Sequence, residues 1–249
     1  MSPFRNRKAQ STPGGRRVRS HILGRIELDQ ECLREDLEYL ASVPTVEEEY
    51  DELSNGFWKN IPLHHASGGS DDRLYRDLHG APAQPTEHVE HVPYLNEIIT
   101  TVSNVERLQM ARTRNPKNAV VIPHHDLVEI DRELDQYFRT RLMLKDSPPA
   151  FHSDDDTVIH MRAGEIWFLD PAAVRSAVNF AEFSRQSLCA DLAFEGAFDE
   201  KEAFADATVH TPVEKAERIR DFAIGARELG ERFSLTTWYA AGERGPGEQ

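Results

Sequence analysis

Eleven histidines are spread along the 249 residues, and four groups of them have spacings that could matter for metal chemistry. Three of the groups are weak. His64 and His65 are neighbours, so on a strand they face opposite ways and cannot share an ion. A solvated loop pair accounts for them. His88 and His91 have the spacing of one helix face, but Pro85 precedes them and no third ligand follows, so a surface position is the simpler reading. His152, beside Ser153 and the acidic run Asp154-Asp155-Asp156, reads as an exposed turn with weak affinity for cations at most.

The fourth group is better placed. Val120-Val121-Ile122 run into Pro123-His124-His125-Asp126. On an extended strand positions i and i+2 share a face, so His124 and Asp126 converge while His125 points away. An imidazole and a carboxylate so arranged are two corners of the facial triad that holds non-haem Fe(II), whose third corner is normally a histidine from a distant strand. A single His-x-Asp is a weak motif and needs its surroundings.

Those surroundings are rich in short strands. Runs at Leu108–Thr113, Ala119–Ile122, Gln136–Leu144, Thr157–Met161, Glu165–Leu169, Ser176–Phe180 and Gln186–Phe194 are separated by Pro, Gly, Asn and Asp clusters. Strands without long helices between them indicate an antiparallel sandwich, jelly roll or barrel. Ahead of them, Leu33, Leu37 and Leu40 recur at helical spacing within Leu28–Leu40, with Asp29 as its N-cap, and Pro93–Thr101 reads as a second, short helix. Residues Asn55–Gly80 read as irregular, and Glu214–Phe233 returns to helix. The expected architecture is mainly β with flanking helices, a jelly-roll core over residues 20–210 and a C-terminal helix over 211–241.

Composition bounds the function. At 39% hydrophobic residues the chain can bury a core, and a formal charge of −14 argues against nucleic acid as main partner. No apolar run is long enough to span a bilayer, and two cysteines, Cys32 and Cys189, make no disulfide framework. A cytoplasmic globular protein is expected. Residues 1–19 hold six basic residues and no acidic one, with Ser, Pro and Gly throughout, and read as a disordered basic tail, as does 242–249. Translation starting near Val18 would make the first of these functionally empty.

The text from Val158-Ile159-His160-Met161-Arg162-Ala163-Gly164-Glu165-Ile166-Trp167-Phe168-Leu169-Asp170 to Ser176-Ala177-Val178-Asn179-Phe180 resembles the aspartyl/asparaginyl β-hydroxylase-like branch of the Fe(II)/2-oxoglutarate oxygenases, in particular its bacterial proline-hydroxylating members. The similarity runs from about Arg19 to Thr236 and takes in Pro44–Tyr50, Phe57-Trp58-Lys59 and His91–Leu95. It implies a double-stranded β-helix that binds Fe(II) and 2-oxoglutarate and uses O2 to hydroxylate free L-proline, with 2-oxoglutarate converted to succinate. It also implies that His124 and Asp126 are iron ligands and that Arg185 pairs with the distal carboxylate of 2-oxoglutarate. A guanidinium suits that task because its planar fork takes a carboxylate bidentately. Arg139 is a second candidate carboxylate anchor, the blander reading being a surface residue of an edge strand.

The resemblance breaks at one place. Where the family has its third iron ligand, a histidine directly before Ser-Ala-Val-Asn-Phe, this chain has Arg175. A guanidinium has donors only and no lone pair for iron. Arg175 could turn outward and leave water as a ligand, or fold into the metal position and pair with Asp126. As the least favoured alternative, His160 or another histidine could rotate in. The family also carries additional helical residues between Phe204–Thr208 and Lys215–Arg220 that are missing here. The expectation is an oxygenase by descent, with hydroxylase activity impaired or absent.

Overall fold

The computed structural model describes residues 20–44, 54–57, 60–70, 82–124, 137–145, 147–154, 157–170, 173–182, 185–194 and 200–205. The expected helix over Glu214–Phe233, both tails, His125 and Asp126 lie outside them.

Two antiparallel sheets face each other. The larger contains β1 (His21–Arg25), β3 (Asn60–His65), β4 (Gln84–Pro85), β5 (Leu108–Arg114), β7 (Tyr137–Lys145), β10 (Glu165–Leu169) and β12 (Gln186–Ala193), ordered β1-β10-β7-β12-β5-β3-β4. The smaller contains β2 (Ser54–Phe57), β6 (Lys117–His124), β8 (Ala150–Asp154), β9 (Thr157–Ile159) and β11 (Arg175–Asn179), ordered β2-β6-β11-β8-β9. Neighbouring strands in sequence repeatedly change sheet, which is the winding of a jelly roll. Seven of these strands coincide with the runs expected from sequence. Within Asn55–Gly80, expected to be irregular, the chain instead forms β2 and β3.

Side-chain alternation assigns the two faces of the larger sheet. In β7, Phe138, Leu142 and Leu144 join a core with Leu188, Ala190 and Leu192 of β12 and Ile166 and Phe168 of β10. That face is covered by α1 (Gln30–Ser42) and α2 (Pro93–Val102), which contribute Leu33, Leu40, Leu95, Ile98 and Ile99. The helices cap each other. Asp29 accepts from the backbone N–H groups of Glu31 and Cys32 at the start of α1, and its own N–H donates to Tyr94 Oη of α2. In return Asp36 of α1, buried, accepts from Leu95 N at 2.7 Å in the first turn of α2.

The opposite face of the larger sheet looks into the space between the sheets. A second apolar cluster lies there, with Ile22, Met143, Trp167 and Leu169 from the larger sheet meeting Ile159 of β9 and Met161. By the same alternation Arg139 and Arg141 of β7 share the face of Met143, and Cys189 and Asp191 of β12 stand opposite them in register. A tight turn that demands glycine precedes β10. Gly164 has φ +80°, a Cβ there would lie 2.5 Å from Ile26 O, and its carbonyl accepts from Ile26 N at 2.9 Å. Among the described residues no helix is long and apolar enough to cross a membrane.

Candidate functional site

The site is built on the inner face of the smaller sheet. Arg175 at the start of β11 pairs in register with His124 at the end of β6 on one side and with Asp154 of β8 on the other. Directly opposed residues of an antiparallel pair share a face, so His124, Arg175 and Asp154 form a row across three strands. His152, two residues before Asp154, faces the same way and stands opposite Ile159 of the inter-sheet cluster. The position after Val174 therefore lies beside the His-x-Asp strand, as a third iron ligand would have to.

His124 is arranged as a ligand. Its Nδ1 lies 2.7 Å from Ile122 O. A carbonyl only accepts, so Nδ1 carries the proton and Nε2 presents a lone pair. Burial pushes the His124 pKa down, and the nearby charge of Arg175 lowers it further, which keeps the imidazole neutral. Asp126, its expected companion, lies outside the described residues.

Arg175 is buried, 4% exposed, so it does not turn outward. Burial, and next the charge of Arg114, push its pKa down to about 9, while Asp191 works in the opposite direction. At neutral pH it remains a cation with no lone pair. The donor set at this place does not fit a three-ligand iron site: one corner is a neutral imidazole and another is a fixed positive charge. His160 does not substitute for it, since its ring leans on Phe151, which alternates with His152 and Asp154 to the other face of β8. Among the described residues no three His, Cys, Asp or Glu side chains are gathered to hold a metal ion.

Arginines dominate the space between the sheets. Arg112 and Arg114 of β5 stand opposite Cys189 and Ser187, Arg139 and Arg141 of β7 opposite Asp191 and Cys189. Arg185 reaches in just before β12, its Nη2 3.5 Å from Met143 Sδ. Arg139 is buried on an inner strand, not on an edge, and its fork is engaged. Nε donates to Asp191 Oδ1 at 2.6 Å and Nη2 to Oδ2 at 3.0 Å, both side chains being 4% exposed. Arg139 thus meets a carboxylate belonging to the chain itself. Arg141 Nε is buried without a hydrogen-bond partner among the described residues, as is His152 Nδ1. The field acts on Cys189, whose thiol burial would raise; Arg141, Arg114, Arg112 and Arg139 together hold its pKa below the usual value.

Two histidine readings need correction. His152 is no exposed turn but is buried in β8, with Nε2 3.5 Å from Asp154 Oδ1 and a pKa lowered by burial. His64 and His65 are no solvated loop pair but buried in β3, where His64 Nε2 meets Asn96 Oδ1 at 2.9 Å and His65 Nδ1 meets Ser67 Oγ at 3.0 Å. His88 and His91 lie at the surface as expected, in the 3-10 turn Glu87–His91, where they rest against Tyr39 with His88 Nδ1 3.0 Å from its hydroxyl. Sequence reasoning also missed Arg112, Arg114 and Arg141. Their signal was available: arginine recurring every second residue on runs otherwise suited to a buried strand.

The family model described as Aspartyl/Asparaginyl beta-hydroxylase matches residues 27–194, which include every strand of the two sheets but β1. The chain belongs to that family. It is 66% identical over 290 aligned positions to L-proline cis-3-hydroxylase 1 from Streptomyces sp, covering 89% of this chain and all of the relative. L-proline cis-3-hydroxylase 2, also from Streptomyces sp, is 55% identical with the same coverage. L-proline cis-4-hydroxylase from Rhizobium meliloti (strain 1021) is 30% identical, over 84% of this chain and 71% of the relative. The 290 aligned positions outnumber the 249 residues here, so the first relative carries residues with no counterpart in this chain.

Proposed function

We propose that the chain is a 2-oxoglutarate-dependent dioxygenase of the proline 3-hydroxylase kind, taking free L-proline, O2 and 2-oxoglutarate and returning hydroxyproline, succinate and CO2. The observation that carries this reading is the 66% identity to a Streptomyces L-proline cis-3-hydroxylase over that protein's whole length. The inter-sheet space supports it chemically. Both organic ligands are carboxylates, and the space is lined by guanidinium groups that bind carboxylates through paired hydrogen bonds.

In this reading Arg185 takes the distal carboxylate of 2-oxoglutarate, and His124 and Asp126 are the residues that would hold Fe(II). Arg139, engaged by Asp191, holds that carboxylate in place and is a positioning residue. Both small ligands are metabolites of the cytoplasm, which is where the reading puts the protein. Arg175 favours a second reading: a homologue that retains the ligand-binding space and has little or no hydroxylase activity, because the third donor to iron is lost.

The test is conversion of L-proline to hydroxyproline, followed by mass spectrometry with succinate release, for wild type and Arg175→His with Fe(II) and 2-oxoglutarate. Proline turnover by Arg175→His at least about tenfold above wild type, on the scale of a lost metal contact, supports proline as substrate and impairment at Arg175. Equal turnover by both removes the impairment. Absence of turnover in both, with each protein folded, removes the proline hydroxylase assignment.

A further inference from the structure

The cation that replaces a metal ligand stands close to where the metal's own charge would be. Arg175 is buried, fixed in register between His124 and Asp154, and shares the inner face with the other arginines of the barrel. A divalent ion in such a site does two things for a 2-oxo acid: it attracts the carboxylate and oxo oxygens, and it offsets nearby negative charge. A guanidinium does the same without a metal, by donating up to five N–H groups in a planar fork.

The surroundings point to an anion. Among the arginines of the inner faces, Arg114 and Arg112 act on Arg175, and Arg141 and Arg185 act on His152, with Asp154, Asp191 and Glu165 (the last held by Arg25) as buried acids of that space among the described residues. Asp191 is already bound through both oxygens by Arg139. Arg141 adds a buried Nε donor with no hydrogen-bond partner among the described residues. Concentrating like charges at low dielectric is unfavourable, and a dianion entering the space relieves it.

We infer that Arg175 makes the barrel a metal-independent binding site for a dicarboxylate 2-oxo acid, its guanidinium taking the end of 2-oxoglutarate that would otherwise be held by the metal. The inference rests on the reading of this space as a 2-oxoglutarate site and adds what residue 175 does there.

Calorimetric titration of the full chain with 2-oxoglutarate tests it, in EDTA and with Mn(II), for wild type, Arg175→Lys, Arg175→Ala and Arg175→His. Wild type is expected to bind with a Kd that changes less than about twofold between the two conditions. Arg175→Ala weakens binding in EDTA by about thirtyfold or more, the scale of one buried charge-assisted contact, and Arg175→Lys keeps part of the affinity. Arg175→His is weak in EDTA and regains affinity with Mn(II). Far-UV circular dichroism confirms that each variant is folded; the wild-type comparison needs no variant. Wild-type binding that requires Mn(II), or Arg175→Ala binding as tightly as wild type in EDTA, overturns the inference. Tight binding by Arg175→His with Mn(II) upholds the underlying 2-oxoglutarate reading even then. No binding by any protein under either condition overturns both.

Discussion

Asp191 is the residue on which the charged interior depends most. Its carboxylate takes two hydrogen bonds from Arg139, at 2.6 and 3.0 Å, with both side chains 4% exposed, and its charge also supports the cationic form of Arg175. Asp191→Ala therefore leaves two buried cations short of their acid. Removing one partner of a buried pair costs about 3–5 kcal/mol, because the remaining charge cannot reach water. For a chain of this size that corresponds to a loss of about 2–4 °C in Tm per kcal/mol. Arg139→Met is milder, since Asp191 keeps Arg175 beside it. The double variant Arg139→Met/Asp191→Leu is the decisive one: it is expected to be more stable than Asp191→Ala alone, because one of the two stranded cations has gone. Urea unfolding followed by circular dichroism measures all three against wild type. A cost below about 1 kcal/mol for Asp191→Ala, or a double variant as destabilised as the two singles added together, refutes the reasoning.

The remaining expectations concern the scaffold. Gly164→Ala must hold φ near +80° and meets Ile26 O, so it should lose about 1–3 kcal/mol in urea unfolding; unchanged stability would contradict the turn. Asp36→Ala removes the buried acceptor from Leu95 N and should cost about 1–2 kcal/mol, with Asp36→Asn recovering most of it. Burial lowers the pKa values of His64, His88, His124 and His152, so between the ordinary histidine pKa and those lowered values the unfolded chain binds more protons than the folded one. Stability should accordingly fall as pH drops below about 6.5. His64→Gln should flatten part of that slope in unfolding curves from pH 7.5 to 5, and a profile that rises toward acid would contradict it.

What could be read in advance followed a physical rule. The helices α1 and α2 and the strands from β5 onward, β8 excepted, were legible because their apolar positions recur with the right period and their ends carry Asp29, Pro93 and turn clusters. β3 and β8 were not, because a polarity pattern assumes that polar residues face water. His64, His65, His152, Ser153 and Asp154 are polar and buried, and His64 and Ser153 meet partners distant in sequence, Asn96 and Ser176. The site was legible in the same uneven way. Period-two spacing gives the expectation that His124 and Asp126 share a face, Asp126 lying outside the described residues, but nothing local says that Arg175 lies across from His124. That placement comes from pairing β6 with β11, about fifty residues away, and the family resemblance supplied it before the strand register did.

The arginines show why that register matters to function. An arginine on a strand is ordinarily a solvent-facing residue, and each of Arg112, Arg139, Arg175 and Arg185 taken singly gives no other signal. Together, on inner faces of two opposed sheets, they form a buried cationic space. Burying that much charge opposes folding, so the fold tolerates it through fixed acids such as Asp191 and through ligands that bring negative charge. On the proposed reading, Arg175 in the place of a histidine ligand shifts this balance further toward the anion and away from the metal. The loss and the gain are then linked. On the proposed reading, a chain that has given up a donor to Fe(II) has gained a donor to carboxylate at the same position, so ligand binding and hydroxylation should separate in this protein where a complete iron site would couple them.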